Sequence, residues 1–271
     1  MPMSIETPNY WGPAKPPHWE TAIFCWKLTS EKTFPPEFSS QCGQDAIVEA
    51  AATIIPLSYL YPKTFVDIGA NDGHNASSTF SLEQRGWTGL LVEPNIDLIP
   101  ELIQYRKSPI ISAAVGEEHG IGYLNYADTV DGLGTLVQNH DSYEFRRLLH
   151  EAKLKSQPLK KTPCPTITMS SLMECFHKLY ATRLLYLKID VEGFEINVVQ
   201  QLSCIDKDLR PSIIEIENNQ RRSDSADVLT SLGYTCSIVL DSFVEIWLDR
   251  AIDKSRLLSF FSRTLSYAAH T

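Results

Sequence analysis

The residues best placed to do chemistry are acids at the ends of apolar runs. The first is Asp67, in the stretch Phe65-Val66-Asp67-Ile68-Gly69-Ala70-Asn71-Asp72-Gly73. Phe65, Val66 and Ile68 suit a parallel strand covered on both faces. Gly69 and Gly73 let the chain turn sharply and approach a ligand closely. Strand, glycine turn and helix is how α/β sheets build nucleotide sites at the carboxyl ends of their strands. The spacing is Asp-x-Gly-x-x-x-Gly, whereas a dinucleotide turn uses Gly-x-Gly-x-x-Gly. An acid before the turn repels a phosphate and welcomes a cation. The sulfonium and amine of S-adenosylmethionine meet that description. Leu90, Leu91 and Val92 form a second apolar run that ends in Glu93-Pro94. Glu93 follows Asp67 by 26 positions, near the roughly 20 expected of a carboxylate that takes ribose hydroxyls. Solvated strand ends are the weaker alternative, because both acids stand near the tips of consecutive apolar runs.

A second concentration of charge surrounds Gly193: Lys188, Asp190, Glu192 and Glu195. On a strand, Lys188, Asp190 and Glu192 share one face. A lysine on a buried face beside two acids points to an ion-paired site. Asp190 or Glu192 is then a general base or an orienter for a hydroxyl; a structural salt bridge closing the strand-helix turn is the other reading. The next apolar run, Ser212–Ile216, ends in Glu217-Asn218-Asn219. Asp190, Glu217 and Asn218 at neighbouring strand tips offer hard oxygen ligands for Mg²⁺, which would lower the pKa of a hydroxyl; a polar substrate cleft is the alternative. His74, after the glycine turn, could serve as a base but more often caps or faces solvent. Arg146, Arg147, Lys153, Lys155, Lys160 and Lys161 make a basic run that reads as a solvated helix and loop, or as an attractor for a phosphorylated or carboxylated substrate.

Alternating elements position these residues. A helix is expected from Asp45 to Pro56, carrying Ala46, Ile47, Ala50, Ala51 and Ile54 at helical spacing. Strands are expected at 65–69, 89–93, 110–115, 184–191 and 212–217, with helices at 76–85, 98–107, 170–179, 196–202 and 226–232. Residues 120–127 and 166–169 read as short extra strands. Residues 128–162 read as a long polar, irregular insertion, functional or mobile. The runs 235–240 and 243–248 form a hairpin through Asp241-Ser242. Alternation alone implies a doubly wound α/β sheet. Ending on an antiparallel hairpin, it resembles the Rossmann-like, seven-stranded, mostly parallel sheet of methyltransferases, with helices on both faces.

With 271 residues and 43% apolar content, one α/β domain with additions is the default. The net charge of −9 disfavours long nucleic acids and anionic membranes. No apolar run approaches the ~18 residues of a membrane span, and the N-terminus lacks a signal core, so a cytoplasmic location is expected. Six scattered cysteines indicate ordinary buried thiols and no zinc knuckle. Residues 1–38 form a Pro/Trp-rich arm, expected to pack on the domain or cover the active site, and residues 251–271 a C-terminal helix or tail. Either could join copies in a homo-oligomer.

Four blocks together resemble the FkbM-type, class I S-adenosylmethionine-dependent methyltransferases over residues 39 to about 250. They are Ser40-Gln41-Cys42-Gly43-Gln44-Asp45, Phe65 to Gly73, Gly86 to Asn95, and Leu187 to Glu195. The resemblance implies O-methylation of a sugar, glycan or secondary metabolite. It implies that Gln44, Asp67, Gly69, Ala70, Asn71, Asp72 and Gly73 hold the methionine portion, with Glu93 and Pro94 at the ribose. Ala113 and Ala114 flank the adenine, and Asp190 faces the methionine amine or the acceptor. Lys188, Asp190 and Glu192 are the catalytic candidates. An enzyme acting on RNA or a nucleotide is a second reading, supported by the basic run alone. A non-catalytic cofactor-binding module is a third, opposed by the intact acids at 67, 93 and 190.

Overall fold

A computed structural model describes residues 39–54, 62–127, 133–217, 223–240 and 243–250. The proline- and tryptophan-rich arm, the C-terminal tail and Asn218 lie outside them.

The main sheet has seven strands in the order β3-β2-β1-β7-β8-β10-β9. Its centre is β1 (Thr64–Ile68), flanked by β2 (Thr88–Val92) and β7 (Tyr186–Ile189), both parallel to it. Outward from β2 lies β3 (Ile110–Ile111), and outward from β7 lies β8 (Ile213–Glu217), again parallel. Only β10 (Val244–Asp249) runs against its neighbours, β8 and β9 (Tyr234–Leu240). The order reverses between β1 and β7. At such a switch point the chain leaves adjacent strands in opposite directions, opening a crevice at their carboxyl ends.

Period-two alternation divides the core between two faces. Phe65 and Leu91 pack with Ile47 of α1 (Gln44–Ile54), Leu82 of α2 (Phe80–Gln84) and Leu102 of α3 (Ile99–Tyr105). Val66, Ile68, Leu90 and Val92 pack on the other side. Their partners are Leu172 and Phe176 of α5 (Met169–Tyr180), Val198 of α6 (Glu195–Gln201) and Leu229 of α7 (Ser223–Ser231).

Several expectations are corrected. The helix expected at 76–85 begins at Phe80, because Ala76 adopts a left-handed conformation (φ 53°) and the Ser77 hydroxyl accepts the Phe80 amide at 3.2 Å. The strand expected at 110–115 breaks in two. Ile110–Ile111 pairs with β2, while β4 (Ala114–Val115) pairs with β6 (Lys160–Ile167) in a second sheet, ordered β4-β6-β5, with β5 at Gly120–Tyr126. The region 128–162 is less irregular than expected: α4 (Tyr143–Leu154) and the start of β6 fall in it. Ser142 caps α4 by accepting the Phe145 amide. The short strand expected at 166–169 is the end of β6; its earlier part escapes a sequence reading because Pro163 and Pro165 argue against a paired strand. Strand β7 stops at Ile189, since the chain turns through Glu192 (φ 48°) and Gly193 (φ 101°). Cys42 and Cys164 are buried as expected, whereas Cys175 and Cys204 are exposed.

Candidate active site

The glycine turn after β1 is held from two sides. The amides of Gly69 and Ala70 donate to the Val92 carbonyl at 3.0 and 3.1 Å, and the Asp190 amide donates to the Ile68 carbonyl at 3.0 Å. Gly69 has φ +82°, and a Cβ there would lie 1.7 Å from the Asp190 carbonyl oxygen. Two backbones from either side of the switch point therefore meet where only glycine fits. Gly73 is covered by Leu102 and Arg106. Arg106 donates to the Gly73 carbonyl (3.0 Å), the Thr79 hydroxyl (3.0 Å) and Glu83 (3.2 Å), pinning the segment that leads into α2.

One cavity of about 340 Å³ opens over the tips of β1 and β2. Gly69, Asn71, Glu93, Pro94, Ala113 and Ala114 line it together with Asp190 and Glu192. Glu93 is only 6% exposed. One of its oxygens accepts the Asn71 amide and the other the Asn95 amide, both at 2.8 Å. Burial raises its pKa to about 7 against the opposing pull of those two amide bonds. Each carboxylate oxygen retains acceptor capacity. A buried acid on the wall, a backbone that excludes any Cβ and two small alanines fit an adenosyl group of this volume. Apolar Leu124, Leu133 and Leu136 complete the wall, and the Tyr126 hydroxyl donates to Asp97 at its rim (2.7 Å).

Beneath the turn runs a buried polar chain. Lys188 donates to the Gly69 carbonyl at 2.8 Å and lies 3.2 Å from Asp67 and 3.3 Å from Asp190. Asp67 is fully buried and also accepts from the Thr79 hydroxyl (2.5 Å). Glu215 accepts from Ser78 (2.8 Å) and Tyr186 (2.6 Å), and its pKa rises to about 7, chiefly through burial. Burial alone would lower the Lys188 pKa, but Asp67, Asp190 and Glu215 outweigh it and raise it. Lys188 therefore stays protonated and cannot accept a proton at neutral pH.

A second cavity of about 500 Å³ adjoins the first and shares Asn71, Leu133, Asp190 and Glu192 with it. Gln44, Ala70, Asp72, Lys188 and Glu217 line it as well. Glu192 is 7% exposed and accepts from Arg147 Nη1 at 3.0 Å, while its carbonyl takes the Thr135 hydroxyl at 2.7 Å. Burial, followed by Asp190, pushes the Glu192 pKa well up, against the pull of Arg147. One carboxylate oxygen each from Asp190, Glu192 and Glu217 lies within 4.8 Å of the other two.

The structure gathers most sequence-named residues around these two cavities but separates some. Asp67, expected to contact the ligand, lines neither and is spent on Lys188 and Thr79. Gly73 and His74 also line neither; His74 stacks on Tyr105 at 3.9 Å. Of the metal candidates, Asp190 and Glu217 come together, and Asn218 lies outside the described residues. Asp45 ties the start of α1 to α2 by accepting from Ser40 and Ser81, both at 2.6 Å, which places Gln44 at the second cavity. Sequence reasoning missed Glu215, whose run Ile213–Ile216 it took as a plain buried strand. It also missed that Arg147 alone of the basic run would turn inward, although Phe145, Leu148 and Ala152 mark the buried side of α4.

No helix among the described residues is long and apolar enough to cross a membrane. A search of curated proteins finds no match to the chain. The profile of the methyltransferase FkbM domain matches residues 67–247, from the acid of β1 to the tryptophan of β10. That span contains the glycine turn, Glu93 and the Asp190–Gly193 corner, and the sheet order suits a domain that uses S-adenosylmethionine as methyl donor. The chain belongs to the FkbM methyltransferase family.

Proposed function

We propose that this methyltransferase acts on a hydroxyl of a small acceptor held in the second cavity, with Glu192 as proton acceptor. The observation that supports this most is the junction of the two cavities at Asp190 and Glu192. When bound, S-adenosylmethionine supplies a methyl group already activated on a sulfonium, so the protein has mainly to align an oxygen and take its proton. Glu93 and the Asn71 backbone hold the ribose side; Ala113 and Ala114 leave room for the adenine. Asp190, fixed by Lys188, presents a carboxylate to the cationic end of the cofactor. Glu192 is suited to proton transfer because burial raises its pKa and so makes its carboxylate a stronger proton acceptor. Lys188 acts here as a tie that orients Asp190.

The three carboxylates of Asp190, Glu192 and Glu217 could hold a divalent ion, but Arg147 already rests on Glu192 at 3.0 Å. Its guanidinium supplies positive charge at the point where Mg²⁺ would, and we favour a reaction that needs no metal. The test is a screen of hydroxyl acceptors with methyl-labelled S-adenosylmethionine. Label transfer to an oxygen, lost in Glu192→Gln, supports the reading. Transfer to nitrogen or carbon, or undiminished transfer in Glu192→Gln, rules it out.

A further inference from the structure

The geometry points to a second cavity that selects its acceptor by charge: it takes a hydroxyl compound bearing an amine and rejects the phosphorylated or carboxylated counterpart. This rests on reading that cavity as the acceptor site.

Among the described residues, its lining carries five carboxylates, Asp72, Asp190, Glu192, Glu215 and Glu217, against two cations, Arg147 and Lys188. Both cations are already engaged. Lys188 lies within 3.3 Å of Asp67 and Asp190 and donates to the Gly69 carbonyl; Arg147 donates to Glu192. An incoming phosphate would reach Lys188 only by displacing a buried contact and leaving a carboxylate without its partner, and at the partly exposed Arg147 it would sit beside the Glu192 carboxylate. Removing one partner of a buried pair is strongly unfavourable. An ammonium group meets the opposite situation, because crowded carboxylates in a cavity with low-dielectric walls attract it.

The acidity extends beyond the wall of the first cavity. Asp72, Glu215 and Glu217 line the second cavity and not the first. The basic run does not reverse the sign. Arg146, Lys153, Lys155 and Lys161 are exposed, Lys160 pairs with Asp97 at 3.7 Å, and Arg147 alone reaches the cavity. An anionic acceptor, suggested by composition along the chain, therefore meets no uncommitted cation among the described lining residues.

Ligand-observed NMR on the full chain, saturated with S-adenosylhomocysteine, tests this with glucosamine, glucose, glucuronate and glucose 6-phosphate. Glucosamine is expected to bind at least about fivefold tighter than either anion, the size of one weakly screened charge contact. Glu217→Gln and Asp190→Asn should each narrow that difference. Binding of either anion as tightly as glucosamine, binding of none of the four, or an amine preference untouched by both substitutions overturns the proposal. If a variant loses its circular dichroism spectrum, the order in the native protein decides. Calorimetry with S-adenosylhomocysteine on the same sample separates the two readings: its failure counts against the cofactor site alone.

Discussion

Replacing Glu93 with glutamine removes charge at nearly constant size and tests the ribose-binding role directly. Burial pushes the Glu93 carboxyl up from 4.5 to about 7 by disfavouring its ionised form. That shift corresponds to roughly 3 kcal/mol held against the charge. The folded protein therefore binds the Glu93 proton more tightly than the unfolded chain does. This contribution to stability is present below about 4.5, declines as pH rises, and is gone above about 7. Ribose hydroxyls donating to the ionised carboxylate recover about 1.5–3 kcal/mol. Binding then favours the ionised form, so affinity for S-adenosylhomocysteine should fall as pH drops below 7, by up to about tenfold per unit. Proton release should accompany binding near neutrality. Glu93→Gln should weaken binding at pH 8 by roughly 10- to 150-fold and flatten the pH dependence. Titration calorimetry at pH 6, 7 and 8, in two buffers of different ionisation enthalpy, measures affinity and proton count together. Native affinity without pH dependence or proton release refutes the reasoning, as does a glutamine variant that binds as tightly as the native protein at pH 8.

Glu192→Gln should lower turnover by about 10²–10⁴-fold while leaving cofactor affinity within a few-fold, and single-turnover label transfer beside calorimetry measures both. Gly69→Ala should destabilise the fold by about 3 kcal/mol or more, since a strained φ and a backbone collision with Asp190 add together; chemical denaturation reads this, and an unchanged midpoint counts against the described turn. Turnover should persist in excess EDTA, because Arg147 supplies the charge at Glu192. A loss that added Mg²⁺ restores would assign Asp190, Glu192 and Glu217 to a metal.

Alternating apolar runs and glycine punctuation made the parallel core of the sheet legible. The continuous burial of Phe65 through Ile68 and of Leu90 through Val92 follows from runs local to the chain. What local pattern cannot carry is partnership. Ile110 to Val115 reads as one strand, yet its halves join different sheets, because the choice is made by β2 and β6. Asp67 illustrates the same limit in the site. Its position before the turn suggests a ligand contact, but it points to the α1 side of the sheet with Phe65, where Lys188 and Thr79 take it. A strand tip has two faces, and the partner strand decides which one the cavity uses. Arg147 was hidden for a related reason: a run of six basic residues reads as solvated until burial of Phe145, Leu148 and Ala152 sets which face of α4 turns inward.

The buried charges under the glycine turn explain why the site can stay acidic without collapsing. Burial at the switch point, with repulsion between the carboxylates adding to it, raises the pKa values of Glu93, Glu192 and Glu215 and draws protons to them. Lys188 counters this from below. It binds Asp67 on β1, Asp190 at the tip of β7 and the Gly69 carbonyl between them, so one ammonium joins the two strands whose divergence makes the crevice. Its charge does not enter the cavity as a free partner, because three oxygens already surround it. Arg147 does the same from above for Glu192. Each cation neutralises enough charge to keep the strand tips together; a substrate anion could reach Lys188 only by breaking a buried pair, and at Arg147 it would meet the Glu192 carboxylate. The negative character of the second cavity thus follows from how the turn is held, and the glycine at 69 is what lets the two strand ends come close enough for a single lysine to span them.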